Sequence, residues 1–234
     1  MHDVPPFEGF SQETFAYLRD LRDNNDKDWF DANKERYIEH VRTPAVSLVA
    51  TVGMQLQDHF PDVHYDTRTN GSGSLMRINR DVRFSEDKSP YKSNIAMMWW
   101  EGAGKKMQSP GFGLQITPDD AGLMAGMFGF DKAMLTQYRE AVVDDERGMS
   151  LVQAVTAVQS AGEYTLNGEH YKKPPRGYPV LEDEREPYMR YNALWVSAME
   201  IPPSAVMEPS FADYCVEHFV KMAPIQQWLA ALRV

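Results

Sequence analysis

The sequence has almost no cysteine and no long apolar run. Cys215 is the one cysteine among 234 residues, so no internal disulfide can form, as is typical of the reducing cytosol. No apolar run approaches the roughly 18 residues of a membrane span. The first six residues lack the basic and apolar regions of a signal peptide. We therefore predict a cytoplasmic protein without a membrane partner.

The motifs of metal and nucleotide sites are also missing. The six histidines show no metal-ligand spacing, and Pro61 separates the nearest two, His59 and His64. The glycines at 71 and 73 lack the Lys-Ser/Thr ending and the following helix of a phosphate-binding loop. No serine lies in a nucleophile-elbow motif. We therefore predict no metal and no other cofactor.

The overall charge is acidic. The chain carries a net charge of -10, which argues against nucleic acid as a partner, because phosphate contacts require a basic face. Hydrophobic residues make up 43% of the chain and charged residues 25%, as in an ordinary folded protein. The chain is therefore long and apolar enough to form a hydrophobic core without disulfides.

Helical and extended patterns alternate along the chain. We predict an α+β fold in a single domain over residues 1–234, with an antiparallel sheet of about four to six strands flanked by N- and C-terminal helices. The predicted helices cover residues 11–23, 27–41, 44–56, 131–143, 150–159 and 210–220, with a last helix that begins at Pro224. An extended segment is predicted over residues 75–84, with a possible bend at Asn79. The predicted strands cover residues 95–100, 112–117, 123–128, 163–166 and 192–199.

One segment reverses the acidic character of the chain. Between Arg77 and Lys106 there are seven Lys/Arg and four Asp/Glu residues, a net charge of +3, so the remainder of the chain carries -13. A local concentration of cations of this kind indicates either a site for an anionic ligand or a dense network of ion pairs. Arginine forks bind carboxylate and phosphate groups through two parallel hydrogen bonds.

The spacing of the cations leaves both interpretations open. On a regular strand Arg80 would point away from Arg77 and Arg83, so convergence of the three needs a bend near Asn79. In the structural alternative, nearby carboxylates pair with the cations and brace the loop. The sequence identifies no general base, and Asp81 is the least unsuitable candidate, while Tyr91 could donate a proton or hydrogen bond. The predicted ligand-binding residues are Arg77, Arg80, Asp81, Arg83, Lys88, Tyr91, Lys92 and Arg176.

Arg176 belongs to a second basic stretch, the loop at residues 172–178. Prolines stiffen this loop, and its cations could close over the same anion. In the alternative, the loop is exposed to solvent and only changes the direction of the chain.

At these segments the chain resembles a family of domains of unknown function, number 2461, which is mostly bacterial and also occurs in fungi and plants. The similarity is specific and extends over nearly the whole chain. It implies a single compact unit that brings the polar residues together, and it assigns no catalytic role. The segments that carry it are residues 10–14, 18–25, 28–37, 76–85 (MRINRDVRFS), 87–92 (DKSPYK), 110–112 and 175–178.

Two classes of function follow from the sequence. The first is a binding site for a small phosphorylated or carboxylated ligand, either in an enzyme or in a sensor without catalysis. The second is a protein-interaction module in which the Arg/Lys/Asp cluster is a structural ion-pair network. Trp99 and Trp100 face opposite sides of a strand, so one belongs to the core and the other could cover a homodimer interface.

Overall fold

The chain combines helices with a sheet whose strands lie mostly in its middle and late parts. The computed structural model describes residues 4–102 and 104–232, and within them no helix has the length and apolar character needed to cross a membrane. The α-helices are α1 (Gln12–Asp23), α2 (Lys27–Ala32), α3 (Lys34–Tyr37), α4 (Thr43–His59), α5 (Lys132–Val143), α6 (Asp145–Ala161), α7 (Pro203–Val206) and α8 (Phe211–Ala231). The strands are β1 (Val63–His64), β2 (Ile95–Glu101), β3 (Gly111–Ile116), β4 (Ala121–Met127), β5 (Thr165–Glu169) and β6 (Tyr191–Ile201).

The strands form one sheet. Across the described residues, six strands make an antiparallel sheet in the order β1-β2-β3-β4-β6-β5. Asn167 of β5 lies opposite Trp195 of β6, and the register shifts before Glu169 pairs with Tyr191. Gly168 lies at this irregularity with a φ of 111°, which side-chain-bearing residues rarely adopt. The predicted α+β class with an antiparallel sheet is confirmed.

Local signals set the helix starts. Ser11 and Thr14 form a capping box at the start of α1. Asp131 accepts a hydrogen bond from the backbone of Met134 at 2.8 Å and so caps α5. Both starts agree with the prediction, because a cap depends on residues only three positions apart.

The predicted helix over residues 27–41 is interrupted. At Asn33 the backbone leaves helical geometry, and its side-chain amide donates to the carbonyl of Trp29 at 2.9 Å. That bond adds to the one that the Asn33 backbone amide donates to the same carbonyl at 3.0 Å, and α2 ends at this residue. A five-residue π-helix, Ile38–Arg42, then connects α3 to α4.

The segment predicted as extended over residues 75–84 forms no continuous strand. Only Leu75 and Asn79 form isolated bridges there, with Met97 and Tyr91 respectively. Beyond Asn79 the chain is a loop, because carboxylate side chains accept hydrogen bonds from backbone groups two residues on and replace the ladder of a strand.

The predicted break before Pro224 is also wrong. α8 continues through Pro224 to Ala231 as one helix. Met222, Ile225 and Leu229 are fully buried on both sides of the proline. A continuous buried face therefore outweighs the hydrogen bond that the proline removes.

The chain divides into two compact units. The first comprises the described residues 4–99, Gly113–Leu123 and Met199–Val216. In its core, the buried indole of Trp99 donates a hydrogen bond from Nε1 to the carbonyl of Val49 at 3.0 Å. Trp99 is thus the core tryptophan of the Trp99-Trp100 pair.

The second unit comprises residues 100–112 apart from 103, Met124–Ala198 and 217–232. Its core includes Tyr138, whose hydroxyl donates to the carbonyl of Tyr188 at 2.9 Å. The ring of Trp228 meets that of Tyr138 edge to face, with 5.8 Å between centroids. The single domain over residues 1–234 stays a prediction.

Candidate functional site

The basic segment forms a loop with a closed neck. We call residues 77–94 the basic loop. The backbone amide of Lys92 donates to the carbonyl of Ile78 at 2.7 Å, and that of Arg80 donates to Pro90 at 2.9 Å. These bonds join the two limbs of the loop, so the positions of Arg80 and Lys92 are fixed by backbone contacts.

Asn25, in the turn after α1, holds the second limb of the loop in place. Its side-chain Nδ2 donates to the carbonyl of Tyr91 at 3.0 Å, and its Oδ1 accepts from the Tyr91 amide at 3.1 Å. The Tyr91 ring stacks on Phe30 of α2, with 4.1 Å between centroids. Tyr91 is therefore held through both its backbone and its side chain, and it is 7% exposed.

Asp87 organises the return limb of the basic loop. Its carboxylate accepts from the amide of Ser89 at 2.9 Å and from the Ser89 hydroxyl at 2.6 Å, and it forms an ion pair with Arg80. Ser89 and then Arg80 therefore hold the pKa of the Asp87 carboxyl well below its usual range. Asp87 stays ionised and acts as an acceptor.

A second ion pair lies at the outer tip of the loop. Arg83 donates two hydrogen bonds to Asp81, with Nε–Oδ1 at 2.9 Å and Nη2–Oδ2 at 2.7 Å. These bonds lower the pKa of the Asp81 carboxyl, which makes it a weaker base. Lys88 donates to the carbonyl of Val82 at 3.1 Å, and Phe84 is 95% exposed.

A cleft of about 320 Å³ opens beside the neck of the basic loop, and we call it the cleft. The end of α1 and both limbs of the loop contribute to it. Its lining residues are polar apart from the Tyr91 ring: Arg22, Asn25, Arg80, Asp87, Ser89, Tyr91, Lys92, Ser93 and Asn94.

The three cations of the cleft differ in their partners. Arg22 forms ion pairs with Asp119 at 3.0 Å and Asp23 at 3.5 Å, and Arg80 pairs with Asp87. Lys92 is partly buried, and its amine has neither an ion pair nor a hydrogen bond with any residue that the structure describes. Burial, followed by the nearby positive charge of Arg77, lowers the pKa of Lys92.

The structure brings together three of the residues predicted for the site: Arg80, Tyr91 and Lys92 line the cleft. The other predicted residues of the loop are exposed and are not among its lining residues. Arg176 lies in the second unit, where its side chain is exposed. The exposed loop residues outside the lining are Arg77, Asp81, Arg83 and Lys88.

Sequence reasoning missed the contribution of α1. Arg22 lies in the last turn of that helix, and Asn25 follows it in the turn that ends at Asp26. The Asn-Asn-Asp cluster predicted a helix end, but nothing local connects it to Tyr91, 66 residues away. Ser89 and Ser93 were missed as well, since lone serines carry little signal.

The part of the chain that the structure describes contains no group of three His, Cys, Asp or Glu side chains suited to a metal ion. The polar character of the cleft instead comes from cations, amides, hydroxyls and the carboxylate of Asp87.

The family model for conserved hypothetical proteins (DUF2461) matches residues 13–228. The chain belongs to this family. The match includes every lining residue of the cleft, so in this DUF2461 member the site is built from the family domain itself. Comparison with curated proteins finds no significant match.

Proposed function

We propose that the cleft binds a small anionic ligand that carries a phosphate or carboxylate group. The observation that carries the proposal is Lys92, a partly buried cation without a carboxylate partner among the described residues. A charge in that position lowers stability unless a counter-charge is near. A bound anion would supply the counter-charge.

The size and lining of the cleft support a small polar ligand. Small-molecule sites commonly enclose about 300–1,000 Å³, and this cleft is at the lower end of that range. Ser93 and Asn94 offer hydrogen bonds around the cations, whereas the Ser89 hydroxyl already donates to Asp87. A large apolar ligand would find too little apolar surface, whereas a phosphate ester or hydroxy acid would find donors on several sides.

The arginines of the cleft would bind an anion in a defined orientation. Arg22 donates to Asp119 through Nη1, and Arg80 donates to Asp87 through Nη1, so each guanidinium keeps further N–H groups. Those groups can bind a phosphate or carboxylate oxygen while the existing pairs hold the side chains in position. In this proposal the ion pairs orient the arginines and do not neutralise the site.

The interaction module remains a second candidate because of the loop tip. Phe84 is almost fully exposed, and the Arg83 guanidinium lies 5.8 Å from the centroid of its ring. An exposed aromatic side chain beside an arginine is typical of residues that dominate protein interfaces. In this alternative the cleft cations serve only to hold the tip.

Location and assembly complete the proposal. A single cysteine, Cys215, buried as a free thiol, supports a cytoplasmic protein. Trp100, which is only partly buried, supports a homodimer interface on the exposed part of its ring. Light scattering across a concentration series tests the dimer, and a Trp100→Ser variant that leaves the measured mass unchanged would remove the support from that residue.

Thermal shift with defined anions tests the proposed site. The protein is titrated with inorganic phosphate, glycerol 3-phosphate and malate, at constant ionic strength. A ligand at about 100 times its dissociation constant stabilises a protein by about 2.7 kcal/mol. For a chain of this size the midpoint should rise by about 5–10 °C.

Two variants show where the anion binds. Lys92→Met removes a charge of the cleft and should abolish the shift. Arg83→Met removes an exposed charge at the tip, outside the lining, and should leave the shift intact. If no anion shifts the midpoint, or if both variants respond as the wild type does, the cleft does not bind anions and the interaction module becomes the better interpretation.

A further inference from the structure

We propose that Lys92 is a reactive amine that forms an imine with the carbonyl group of an anionic ligand in the cleft. The inference rests on the proposed function and adds to it, because it names the ligand as a keto or aldehyde compound with a phosphate or carboxylate group. It also gives the site a covalent step.

The arrangement of the cleft provides both parts that such a step requires. Arg22, Arg80 and Lys92 belong to the same lining, and an arginine there can hold an anionic group. The backbone of Lys92 is fixed by its bond to Ile78 at 2.7 Å, which limits where the amine can reach. A carbonyl compound anchored through its anion would thus be held near one particular amine, which greatly raises the local concentration.

The surroundings of Lys92 also shift its equilibrium toward the neutral amine, the form that attacks a carbonyl. Its pKa is lowered by burial and by the positive charge of Arg77, and a neighbouring cation is one of the known ways to activate a lysine. A lysine that serves the fold is typically paired, as Lys221 is with Glu217 at 2.6 Å. Lys92 has no such carboxylate in the described part of the chain.

The chemistry balances without an oxidant or reductant. The neutral Nζ of Lys92 attacks the carbonyl carbon, and the electron pair of the C=O bond moves to oxygen. Proton transfer from nitrogen to oxygen gives a carbinolamine. Loss of water then forms the C=N bond, with the second proton of the amine leaving in that water. Hydrolysis reverses every step and returns the free lysine.

Reductive trapping tests the proposal. The intact protein is incubated with pyruvate or dihydroxyacetone phosphate and sodium cyanoborohydride, which delivers hydride to the imine carbon and leaves a stable secondary amine. Peptide mapping by mass spectrometry then locates the adduct. We expect labelling at Lys92 to exceed that at the exposed Lys88 on the order of tenfold or more. Acetone, which lacks an anionic group, should show a much smaller preference for Lys92.

Variants separate this inference from the proposed function. Lys92→Arg keeps the positive charge, so it should still show the shift with inorganic phosphate while it loses the adduct. Lys88→Arg, four positions away, should keep both. Lys92→Met serves as a second test of adduct loss if the arginine variant does not fold.

These experiments distinguish a failure of the proposed imine from a failure of the proposed anion site. If inorganic phosphate binds but adducts spread over the exposed lysines, the imine is overturned and the anion site stands. If neither phosphate binding nor selective labelling occurs, both proposals fail together. Selective labelling that persists in Lys92→Arg would assign the reactive amine to another lysine and would also overturn the inference.

Discussion

Lys92 carries a charge at a position where burial and a like-charged neighbour both oppose it. Residues that lower stability in this way are common where a protein binds or reacts, because function and stability make different demands on the same side chain. Arg185 is the opposite case. It is 8% exposed, and Asp183 and Asp145 accept its hydrogen bonds at 2.7 and 2.8 Å. A buried arginine that is paired with carboxylates in this way stabilises the fold.

Replacing Lys92 should therefore change the stability of the protein only slightly. In the ligand-free protein we expect Lys92→Met to change the free energy of unfolding by less than about 0.5 kcal/mol, or to raise it. The aliphatic stem is retained and a partly buried charge is removed. Urea unfolding at pH 7 measures the change. A loss of several kcal/mol would mean that the amine braces the loop, as the structural alternative holds.

Replacing Asn25 should lower the stability of the protein much more. Asn25→Ala removes both hydrogen bonds to the Tyr91 backbone and leaves buried polar groups without partners, so we expect a loss of about 1–3 kcal/mol of stability. Phosphate affinity should fall as well, because Tyr91 and Lys92 would lose their fixed position. Asn25→Asp keeps the acceptor for the Tyr91 amide and should have an intermediate effect. Unfolding and phosphate titration of both variants test this order.

At the scale of elements, close backbone approach constrains the sheet. Gly126 of β4 has a φ of 130°, and a Cβ atom there would lie 2.3 Å from the carbonyl oxygen of Leu194 and 2.7 Å from the Cα of Trp195. Both contacts are to the backbone of β6, which cannot move aside as a flexible side chain could.

Gly126→Ala should consequently destabilise the protein by about 2–4 kcal/mol, from overpacking and from a strained backbone together. Gly129 is the matched control, since a Cβ there meets nothing within 4 Å. Thermal unfolding of the two alanine variants gives the comparison. If the two variants were equally stable, β4 and β6 would be able to move apart without a loss of stability.

The elements also show which parts of the fold could be predicted from the sequence. The caps at Ser11 and Asp131 and the apolar strands near residues 95–127 were predictable, because each depends on neighbours within a few positions. The extended segment over 75–84 does not continue as a strand, because the Asp81 carboxylate binds the backbone amide of Arg83. The continuous α8 was missed because burial on both sides of Pro224 is a tertiary effect.

The site was predictable only in part for the same physical reason. The reversal of charge identified the basic loop, and Arg80, Tyr91 and Lys92 came from it. Which of the cations would meet depended on the closed neck, and the contribution of Asn25 depended on a contact across 66 residues. A charge pattern along a chain gives the chemistry of a site, whereas its geometry comes from long-range contacts.

At the scale of the whole molecule, the net charge is -10, whereas residues 77–106 carry +3. We expect such a protein to repel most polyanions, while a small anion would respond mainly to the charges near the proposed site, because charges more than about 8–10 Å apart are screened at physiological salt. The affinity for phosphate should hence depend less steeply on salt than that of a nucleic-acid-binding protein.

The stability of the molecule should fall in mild acid through His218. Its ring contacts the hydroxyl of Tyr164 at 2.8 Å, and burial, followed by Lys221, lowers its pKa below the ordinary value of 6.5, while Glu217 opposes that effect. The unfolded chain therefore takes up a proton more readily than the folded one. This contribution to stability is present above pH 6.5 and is lost as the pH falls through the folded value.

Urea unfolding at pH 7.5 and pH 5.5 measures this effect. We expect the wild type to lose more stability between the two values than His218→Gln, which keeps a hydrogen-bonding group near Tyr164 but does not titrate. Equal losses in the two proteins would assign the acid sensitivity to other groups.

The closed neck of the basic loop separates its tip from the cleft. The bonds at Ile78 and Pro90 hold the cleft side of the loop, whereas Phe84 at the tip is not among the lining residues. A partner bound at the tip is therefore expected to leave the backbone of Arg80 and Lys92 in place, because the backbone bonds of the neck lie between the tip and the cleft.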